Sequence, residues 1–500
     1  MSFFNHYKLI TMKRIPFYAV MFLSFALLLN SCSKDTVGPG TDPDPNPNPN
    51  PPATELIFPK KEMRAAWIAT VWSIDWPTSR EVAAQKKQYT DLLDRLKQLK
   101  FNTVFVQVRG MGDAFYDSPY EPWSANITGT RGKNPGYDVL RFMLDEAHAR
   151  GIEFHAWINP YRIATRASAA TAYPALHSSV SPSWVVDHEK IQIYNPALPE
   201  VRQRLADIVK DIITKYNVDG LHLDDYFYPD PSSAGSMKSD DDDFNRLKGS
   251  FTDKNAWRRD NVDKAIELIH NTIKTHKQEV VFSISPAASR AYNYNTLYAD
   301  LPKWTSSGWV DILIPQLYQE IGNSSNPFER NLADWTQFRG KAQVVIGHGY
   351  YKFGAADGGA KFQSVQELVN QFDLVRNNRF TVGSAIYSAR DILANRIGIT
   401  DKLAELYAKD VLMPFAGRAV ASAPAVPSNL SLSGSELSWT GTGSNIRFAV
   451  YYFSNLKAEG ELIGVTTSNK LTVSKNGYYC VTAVNVDHVE SKASNTIEKK

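Results

Sequence analysis

The chain has 500 residues, of which 43% are hydrophobic and 12% aromatic, and its 55 basic and 52 acidic side chains give a formal net charge of +3. This length exceeds what one hydrophobic core usually holds, so we expect two folded domains and an N-terminal segment outside both. The balanced charge supplies no basic field for a phosphate backbone, which argues against nucleic acid as a partner. The aromatic content suits sugar recognition, because flat rings stack on the apolar faces of pyranoses, although barrels also use such rings in their cores.

The N-terminus has the pattern of an export signal. Basic residues precede an apolar run over 15–29 that is too short for a comfortable membrane span. The run ends in Leu-Asn-Ser-Cys at Cys32, which resembles the lipobox of bacterial lipoproteins; the alternative is an ordinary signal peptide with an accidental Cys. We predict a signal peptide over 1–31, lipidation of Cys32 and a Pro-rich tether over 32–58. The protein is then expected in the cell envelope, held to the outer membrane by lipid only, on its periplasmic or outer face.

From residue 64 to about 415, short β-rich runs alternate with amphipathic helical stretches, the pattern of parallel strands joined by crossover helices. Strands are predicted over 64–70, 103–108, 153–158, 220–224, 280–285, 312–316, 343–347 and 383–387. This count predicts an α/β fold, a (β/α)8 TIM barrel, which we assign to 59–418. The rival, an open doubly wound sheet, would carry a Gly-rich turn after its first strand, where 71–76 is an aromatic loop instead. Long segments follow several strands, on the functional face of a barrel.

An Ala/Pro/Ser linker over 419–427 marks a change in composition. Short β-rich runs follow, so 425–500 is predicted to be a small all-β, immunoglobulin-like sandwich of the fibronectin type III kind, acting as a spacer or docking module. Cys480 lies in one of these runs and is predicted to be a buried strand residue. If Cys32 carries lipid, Cys480 has no partner for a disulfide.

The stretch 218–229 is the most informative part of the chain and begins as the fourth strand. Because side chains alternate across a strand, His222 and Asp224 should face the barrel axis, with Asp224 at the upper rim. A carboxylate there, beside a His and three aromatic residues, is where a sugar-cleaving enzyme would carry one. The structural alternative is that Asp224 caps a helix or pairs with Arg109. Asp225 has the opposite parity unless the strand has ended, and it ranks second.

Glycoside hydrolysis needs a pair of carboxyl groups: one protonates the leaving oxygen while the other attacks carbon or activates water. On the sixth strand Gln316, Tyr318 and Glu320 share one parity, so Glu320 is the best-placed partner if the strand extends that far. Other candidate site residues lie on the inward-facing side of the remaining strands or close after their ends. They are Gln107, Arg109, Asp113, His155, Trp157, Asn159, His348 and Tyr387. His348 and Tyr387 complete a ring that could bind hydroxyl groups, although each is also explained as a structural hydrogen-bonder.

Metal and nucleophile chemistry have weaker support. The acidic run over 240–243 lacks the alternating spacing and the Gly of a calcium loop, and we interpret it as a solvated loop. His155, His222 and His348 are candidate zinc ligands, which would imply a metal-dependent hydrolase or deacetylase, but no close His pair supports them. No nucleophile elbow is present. We predict neither a metal nor another cofactor.

Several blocks resemble the glycosyl-hydrolase-like family 10: MRAAWIAT at 63–70, FVQVR at 105–109, HAWINPYR at 155–162, GLHLDDYFYP at 220–229 and PQLY at 315–318. The resemblance covers 62–415 and implies a bacterial envelope hydrolase, since some members act on peptidoglycan glycan strands stripped of peptides. After Pro-Gln-x-Tyr the family usually continues with Trp, whereas Gln319 and Glu320 follow here, which weakens the assignment of Glu320. The fourth strand also looks like that of α-amylase barrels, where Arg-x-Asp carries the nucleophile and His222 here replaces the Arg.

We therefore predict an exported, monomeric lipoprotein glycoside hydrolase that cleaves peptidoglycan strands or another polysaccharide. Asp224 is the predicted nucleophile or base, and Asp225 or Glu320 the acid. The residues predicted to bind substrate are Arg109, Asp113, Trp67, His155, Trp157, Asn159, Arg162, His222, Tyr226, Gln316, Tyr318, His348 and Tyr387. Two alternatives stay open: a surface lipoprotein that binds glycans without cleaving them, and a metal-dependent polysaccharide deacetylase.

Overall fold

The computed structural model describes residues 55–500 except 169, 189, 232–236, 238–239 and 415–421. The predicted signal peptide, Cys32 and most of the predicted tether lie outside the described residues, as does the barrel boundary predicted at 418. Within the described part of the chain, no helix has the length and apolar character needed to cross a membrane.

The strands, in chain order over the described residues, are β1 Met63–Ile68, β2 Thr103–Arg109, β3 Glu153–Ile158, β4 Arg162–Thr165, β5 Val185–His188, β6 Ile191–Tyr194, β7 Gly220–Leu223, β8 Val281–Ile284, β9 Ile312–Leu313, β10 Gln343–Gly349, β11 Thr381–Tyr387, β12 Ser428–Ser433, β13 Glu436–Thr440, β14 Arg447–Phe453, β15 Glu461–Thr466, β16 Lys470–Thr472, β17 Gly477–Val484 and β18 Ile497–Lys499. The α-helices described are Val82–Gln98, Ala125–Thr128, Val139–Ala149, Pro199–Lys215, Asp241–Leu247, Lys254–His276, Arg290–Asn295, Leu301–Ser307, Phe328–Gln337, Gln366–Asn377, Ala389–Ala394 and Ile399–Leu406.

Eight parallel strands of the described chain close a barrel in the order β1-β2-β3-β7-β8-β9-β10-β11, with β11 paired to β1. Each predicted strand overlaps one of them, so the barrel prediction is confirmed. Side chains alternate between two apolar environments along each strand. On β2, Phe105 joins Trp67 and Trp157 in the barrel interior, while Val104 and Val106 pack toward the helices. This alternation decides which side chains reach the rim, the C-terminal end of the barrel strands.

An antiparallel ribbon is inserted between β3 and the helix Pro199–Lys215. Its strands pair in the order β4-β6-β5. Arg162, the first residue of β4, is buried. Since the ribbon follows the C-terminal end of β3, it brings a buried guanidinium group to the rim.

The acidic run at 240–243 is not a solvated loop throughout, and the prediction is wrong at its first residue. Asp240 is buried and accepts hydrogen bonds from Arg258 at 2.7 and 2.8 Å. Lys254 also pairs with Asp240, at 2.6 Å. The next residues begin the helix Asp241–Leu247, whose first turn is acidic as the helix dipole favours.

The C-terminal segment is an all-β unit of two antiparallel sheets, β12-β13-β16 and β15-β14-β17-β18. Its core includes Leu437, Trp439, Phe448 and Val481. Cys480 is buried on β17, in the kind of position that the sequence predicted. The all-β architecture is therefore confirmed, while the closer assignment to the fibronectin type III kind stays a prediction.

The two C-terminal sheets together form the sandwich, which lies against the end of the barrel opposite the rim. His488 of the sandwich hydrogen-bonds Glu153, the first residue of β3, and Lys61 pairs with Glu490 at 2.9 Å. The Phe58 ring packs on Tyr451 of β14, 4.8 Å between centroids. Phe58, the last residue of the predicted tether, therefore has an aromatic partner on the sandwich, and the tether over 32–58 stays a prediction.

Candidate active site

Asp224 lies directly after β7, and its carboxylate accepts three N–H groups. Oδ2 accepts from Trp157 Nε1 at 3.3 Å and from Asn159 Nδ2, and Oδ1 accepts from the backbone N–H of Tyr226 at 3.3 Å. Trp157 and Asn159 come from the end of β3, the barrel neighbour of β7. Residues selected by strand parity on two strands therefore meet at one carboxylate, which is only 4% exposed.

Asp225 belongs to the same site although its strand parity is opposite. Its Oδ1 accepts from Gln316 Nε2 at 3.3 Å, and Gln316 also donates to the Ser285 carbonyl oxygen at 3.1 Å. β7 has ended at Leu223, so parity no longer dictates where Asp225 points. The Asp225 side chain is partly exposed, which leaves it open to a ligand at the rim.

Burial raises the pKa of both carboxyl groups of this carboxylate pair above its usual value, and the charge of Asp225 adds to the increase at Asp224. Arg162, whose guanidinium lies 3.8 Å above the centre of the Tyr226 ring, lowers both pKa values by its positive charge. Coupled carboxyl groups titrate as a unit, so the loss of the first proton leaves one acid and one base in the pair. One acid and one base side by side can perform acid/base cleavage of a glycosidic bond.

His222 supports the floor of the site as a neutral side chain. Trp67 donates from Nε1 to His222 Nε2 at 3.1 Å, so the proton of His222 is on Nδ1, 2.8 Å from Ser283 Oγ. Burial lowers the pKa of His222 well below its usual value. His222 is completely buried and orients Trp67, so its placement is that of a positioning residue, and its predicted contact with substrate stays a prediction.

Aromatic rings form one wall of the site. Tyr318 and Tyr387 stack with centroids 6.0 Å apart, and Tyr351 meets them edge-on at 5.9 and 6.1 Å. The edge of Trp67 approaches Tyr387 at 6.2 Å. Burial, with contributions from nearby carboxylates that include Asp224, raises the pKa of Tyr387. The wall therefore stands beside the carboxylate pair, and Tyr351 is a member that sequence reasoning missed.

A chain of hydrogen bonds connects Asp224 to the loop after β1. The Asn159 side chain that donates to Asp224 accepts from Gln107 Nε2 at 2.8 Å. Gln107 Oε1 in turn accepts from the backbone N–H groups of Thr70 at 3.1 Å and Val71 at 2.9 Å. The orientation of the Asn159 amide is fixed by this chain, which we call the Gln107 relay.

Asp75 is a second residue that sequence reasoning missed. Its Oδ1 accepts from Ser388 Oγ and from the Arg390 backbone N–H, both at 2.7 Å, and its Oδ2 accepts from the Ala69 N–H at 2.6 Å. Burial raises the pKa of Asp75 to about 6. Asp75 joins the loops after β1 and β11 beneath the aromatic wall. Its only sequence signal was a carboxylate within the aromatic loop 71–76.

The structure pairs Arg109 and Asp113 with other charged side chains and does not bring them to the carboxylate pair, so their roles in substrate binding stay predictions without support from the geometry. A bulge in β2 between Gln107 and Arg109 changes the parity of the strand. Arg109 donates through Nε and Nη2 to Glu121 at 2.6 to 3.0 Å, and through Nη1 to the Asn159 and Pro160 carbonyl oxygens. Asp113 lies 3.4 Å from Arg131. Arg109 thus stabilises the chain after β3 through its hydrogen bonds to the Asn159 and Pro160 carbonyl oxygens.

Removal of the Glu121 carboxylate is expected to destabilise the barrel strongly. Glu121→Ala leaves Arg109, which is 0% exposed, without its counter-ion, and breaking a buried pair from one side typically costs about 3–5 kcal/mol. Chemical denaturation should show this loss in the free energy of unfolding, with the exposed Glu279→Ala as control. A loss below about 1 kcal/mol would contradict a buried ion pair at this position.

Three further predicted site residues, His348, His155 and Glu320, lie away from the carboxylate pair. His348 points outward, stacked on Phe328 and hydrogen-bonded to Gln371, because β10 extends past it with outward parity. His155 faces the interior but lies in the lower half of β3, 3.4 Å from Glu153. The three candidate zinc histidines therefore do not converge. Among the described residues no group of three or more His, Cys, Asp or Glu side chains is arranged to hold a metal ion.

Glu320 is the third misplaced residue. β9 ends at Leu313, so the parity argument does not extend to it. Its Oε2 accepts from the backbone N–H of Lys361 at 2.9 Å, and its own carbonyl oxygen accepts from Asn323 and Phe328. Of the two candidates for the second carboxylate, the structure brings Asp225 and not Glu320 into the network around Asp224.

Residues 62–363, more than half of the chain, match the glycosyl hydrolase-like 10 family. The chain belongs to this family. The enzyme is 36% identical over 377 residues to glycosyl hydrolase YngK of Bacillus subtilis (strain 168), spanning 71% of this chain and 73% of YngK. It is 34% identical over 368 residues to glycosyl hydrolase DigH of Escherichia coli (strain K12), spanning 66% of this chain and 82% of DigH. The family and both relatives make the enzyme a glycoside hydrolase, as predicted.

A solved structure of similar shape is the glycoside hydrolase domain of PgaB from Bordetella bronchiseptica. It aligns with the enzyme at a TM-score of 0.46 and 13% sequence identity. The alignment covers 71% of this chain and 100% of that domain.

The pH dependence of the enzyme should respond to Arg162. Because the Arg162 charge lowers the pKa of both carboxyl groups, Arg162→Gln should raise both values and move the bell-shaped profile of kcat/KM to higher pH by about 1 unit. The profile should be measured beside Arg166→Gln, a neighbouring arginine whose side chain lies over the Tyr173 ring. An unchanged profile, or a shift to lower pH, would contradict the placement of Arg162 beside the pair.

Proposed function

We propose that the enzyme is an exported lipoprotein that hydrolyses glycosidic bonds in peptidoglycan glycan strands stripped of their peptides. The observation that carries this proposal is the Asp224–Asp225 pair, held at the rim by Asn159, Trp157 and Gln316. Buried carboxyl groups with raised pKa values are suited to proton transfer near neutral pH. The aromatic wall beside them supplies surfaces on which pyranose rings can stack.

The hydrogen bonds on each carboxyl group suggest the division of roles. Asp224 accepts three N–H groups, and donors of this kind favour the ionised form. Asp225 accepts one side-chain N–H, from Gln316, and is free to carry the shared proton. Asp225 then donates its proton to the leaving glycosidic oxygen, while ionised Asp224 attacks the anomeric carbon or takes a proton from the attacking water.

The surroundings of Arg162 support an anionic sugar as substrate. Arg162 carries a positive charge beside the carboxylate pair, over the ring of the exposed Tyr226. A glycan strand stripped of its peptides exposes the lactyl carboxylate of each muramic acid unit, and the charge of Arg162 attracts such an anion to the rim. We therefore assign to Arg162 the recognition of muramic acid by charge.

Esterification of the lactyl groups tests this substrate assignment. We expect peptide-free strands to be cleaved with a lower KM than the same strands after methyl esterification, and we expect Arg162→Gln to remove that difference. Cleavage of neutral polysaccharides in preference to both would contradict the peptidoglycan assignment. Binding of the strands without release of products would favour a glycan-binding protein instead.

The proposed location depends on Cys32. We expect the full-length protein to fractionate with membranes and to incorporate labelled fatty acid, and Cys32→Ala to lose the label and leave the membrane fraction. Retention of the variant in membranes would contradict a lipid anchor at this residue.

A further inference from the structure

Trp72 is unusual among the tryptophans because it is 62% exposed. It is the only tryptophan among the large hydrophobic side chains that are exposed in the described residues. It lies in the turn Val71–Ser73, directly after the strand that carries Trp67 to the floor of the site. Tryptophan is enriched at binding surfaces because its flat ring contributes a large apolar area and its N–H can still reach a polar partner.

The backbone of this turn is held in an unfavourable conformation. Trp72 has φ +52° and Ser73 has φ +54°, in the left-handed region that residues with a Cβ atom rarely adopt. Since the indole is largely in solvent, packing of the side chain does not explain why the turn is kept. Strained backbone in a loop beside an active site is commonly associated with ligand binding.

Several hydrogen bonds nevertheless hold this turn in place. The Gln107 relay binds the N–H groups of Thr70 and Val71 at its start. The Asp75 N–H donates to the Ala69 carbonyl oxygen at 2.9 Å, and the Asp75 carboxylate binds the Ala69 N–H in return. Ile74 packs against the interior cluster that contains Trp67. Trp72 is therefore presented at a fixed position on the rim, connected by hydrogen bonds to the residues that hold Asp224.

We propose that Trp72 is a sugar-binding platform at the edge of the active site, which stacks on a pyranose unit of the glycan chain away from the bond that is cleaved. The indole supplies a flat apolar surface of the kind that binds the face of a sugar ring. A platform away from the carboxylate pair is useful only to a chain that spans both, so it makes the enzyme selective for long glycans. This inference deepens the proposed function and rests on it for the site of cleavage, but not for binding.

Binding to an inactive enzyme separates the platform from catalysis. In the Asp224→Asn background, calorimetric titration should use chitobiose, chitohexaose and peptide-free glycan strands as probes. Adding Trp72→Ala should weaken the binding of the two longer probes by about tenfold and leave chitobiose unchanged. Trp72→Phe keeps an aromatic face and should retain most of the affinity. Val486→Ala, which trims a side chain that is 63% exposed on the sandwich, is the control and should change nothing.

The outcomes distinguish this inference from the proposed function. Equal affinity of the Trp72→Ala and parent proteins for the long probes would overturn the platform, as would an equal loss for all three probes or the absence of binding to any of them. A length-dependent loss of binding in a protein whose wild type releases no products would support the platform and overturn the proposed hydrolysis of these strands.

Discussion

Asp224→Asn is expected to lower kcat by about 10³- to 10⁴-fold on peptide-free glycan strands. The amide is nearly the size of the carboxylate, but it cannot attack carbon or accept a proton, and its NH2 group would face the N–H donors of Trp157 and Asn159. The measurement is the initial rate of product release at saturating substrate. KM should change much less than kcat, because Asp224 is only 4% exposed and acts on the reacting atoms.

Glu320→Gln is the matched control for this variant. It also replaces an acidic group after a barrel strand, yet Glu320 accepts from Lys361 outside the network of Asp224. Its kcat should stay within about threefold of wild type. A large loss in Glu320→Gln together with a small loss in Asp224→Asn would reverse the assignment of the catalytic pair.

Asp225→Asn is expected to lower kcat by about 10²- to 10³-fold on glycan strands, but by less than about tenfold on a dinitrophenyl glycoside of the same sugar. The dinitrophenolate ion leaves without a proton, so it does not need the acid. The pH profile provides a second measurement. With the shared proton removed from the pair, the loss of activity at high pH should disappear, while the rise of activity at low pH, set by ionisation of Asp224, should remain.

The two substrates make the assignment of the acid testable even if Asp225→Asn is partly unfolded, since a loss of folded protein lowers both rates equally. Equal loss on both substrates at full folding would contradict the role of Asp225 as the acid. A variant that kept both limbs of the pH profile would contradict it as well.

The barrel and the centre of the site follow from the sequence because strand parity is a local property. On β3 and β7, alternation alone brings Trp157, Asn159 and Asp224 to one place, and the short strand β7 frees Asp225 to join them. The fold follows from the order of strands and helices together with the aromatic loop 71–76, which replaces the Gly-rich turn of an open doubly wound sheet.

The structure departs from the predicted placement of side chains where the alternation of a regular strand no longer applies. The bulge in β2 moves Arg109 to Glu121, a partner on a loop that the sequence does not connect with it. The extension of β10 turns His348 outward, and the early end of β9 leaves Glu320 beyond the strand. A register shift of one residue, as at the bulge in β2, moves the following side chains to the other side of the strand.

Other features of the site could not be predicted from the sequence, because they depend on contacts between segments that are far apart along the chain. Asp75 binds Ser388 and the N–H of Arg390, more than three hundred residues away in sequence. Tyr351 joins the wall through Tyr318 and Tyr387, which come from two other loops and strands. The exposure of Trp72 depends on how the loops around it pack, so the sequence offered only an aromatic residue in a loop.

The most direct test of the central claim is mass spectrometry of the products released from peptide-free glycan strands in heavy-oxygen water, comparing the wild type with Asp224→Asn. Hydrolysis at the Asp224–Asp225 pair predicts fragments from the wild type that carry one heavy oxygen at the new reducing end, and almost none from the variant. Equal amounts of labelled fragments from both proteins, or none from the wild type, would contradict it.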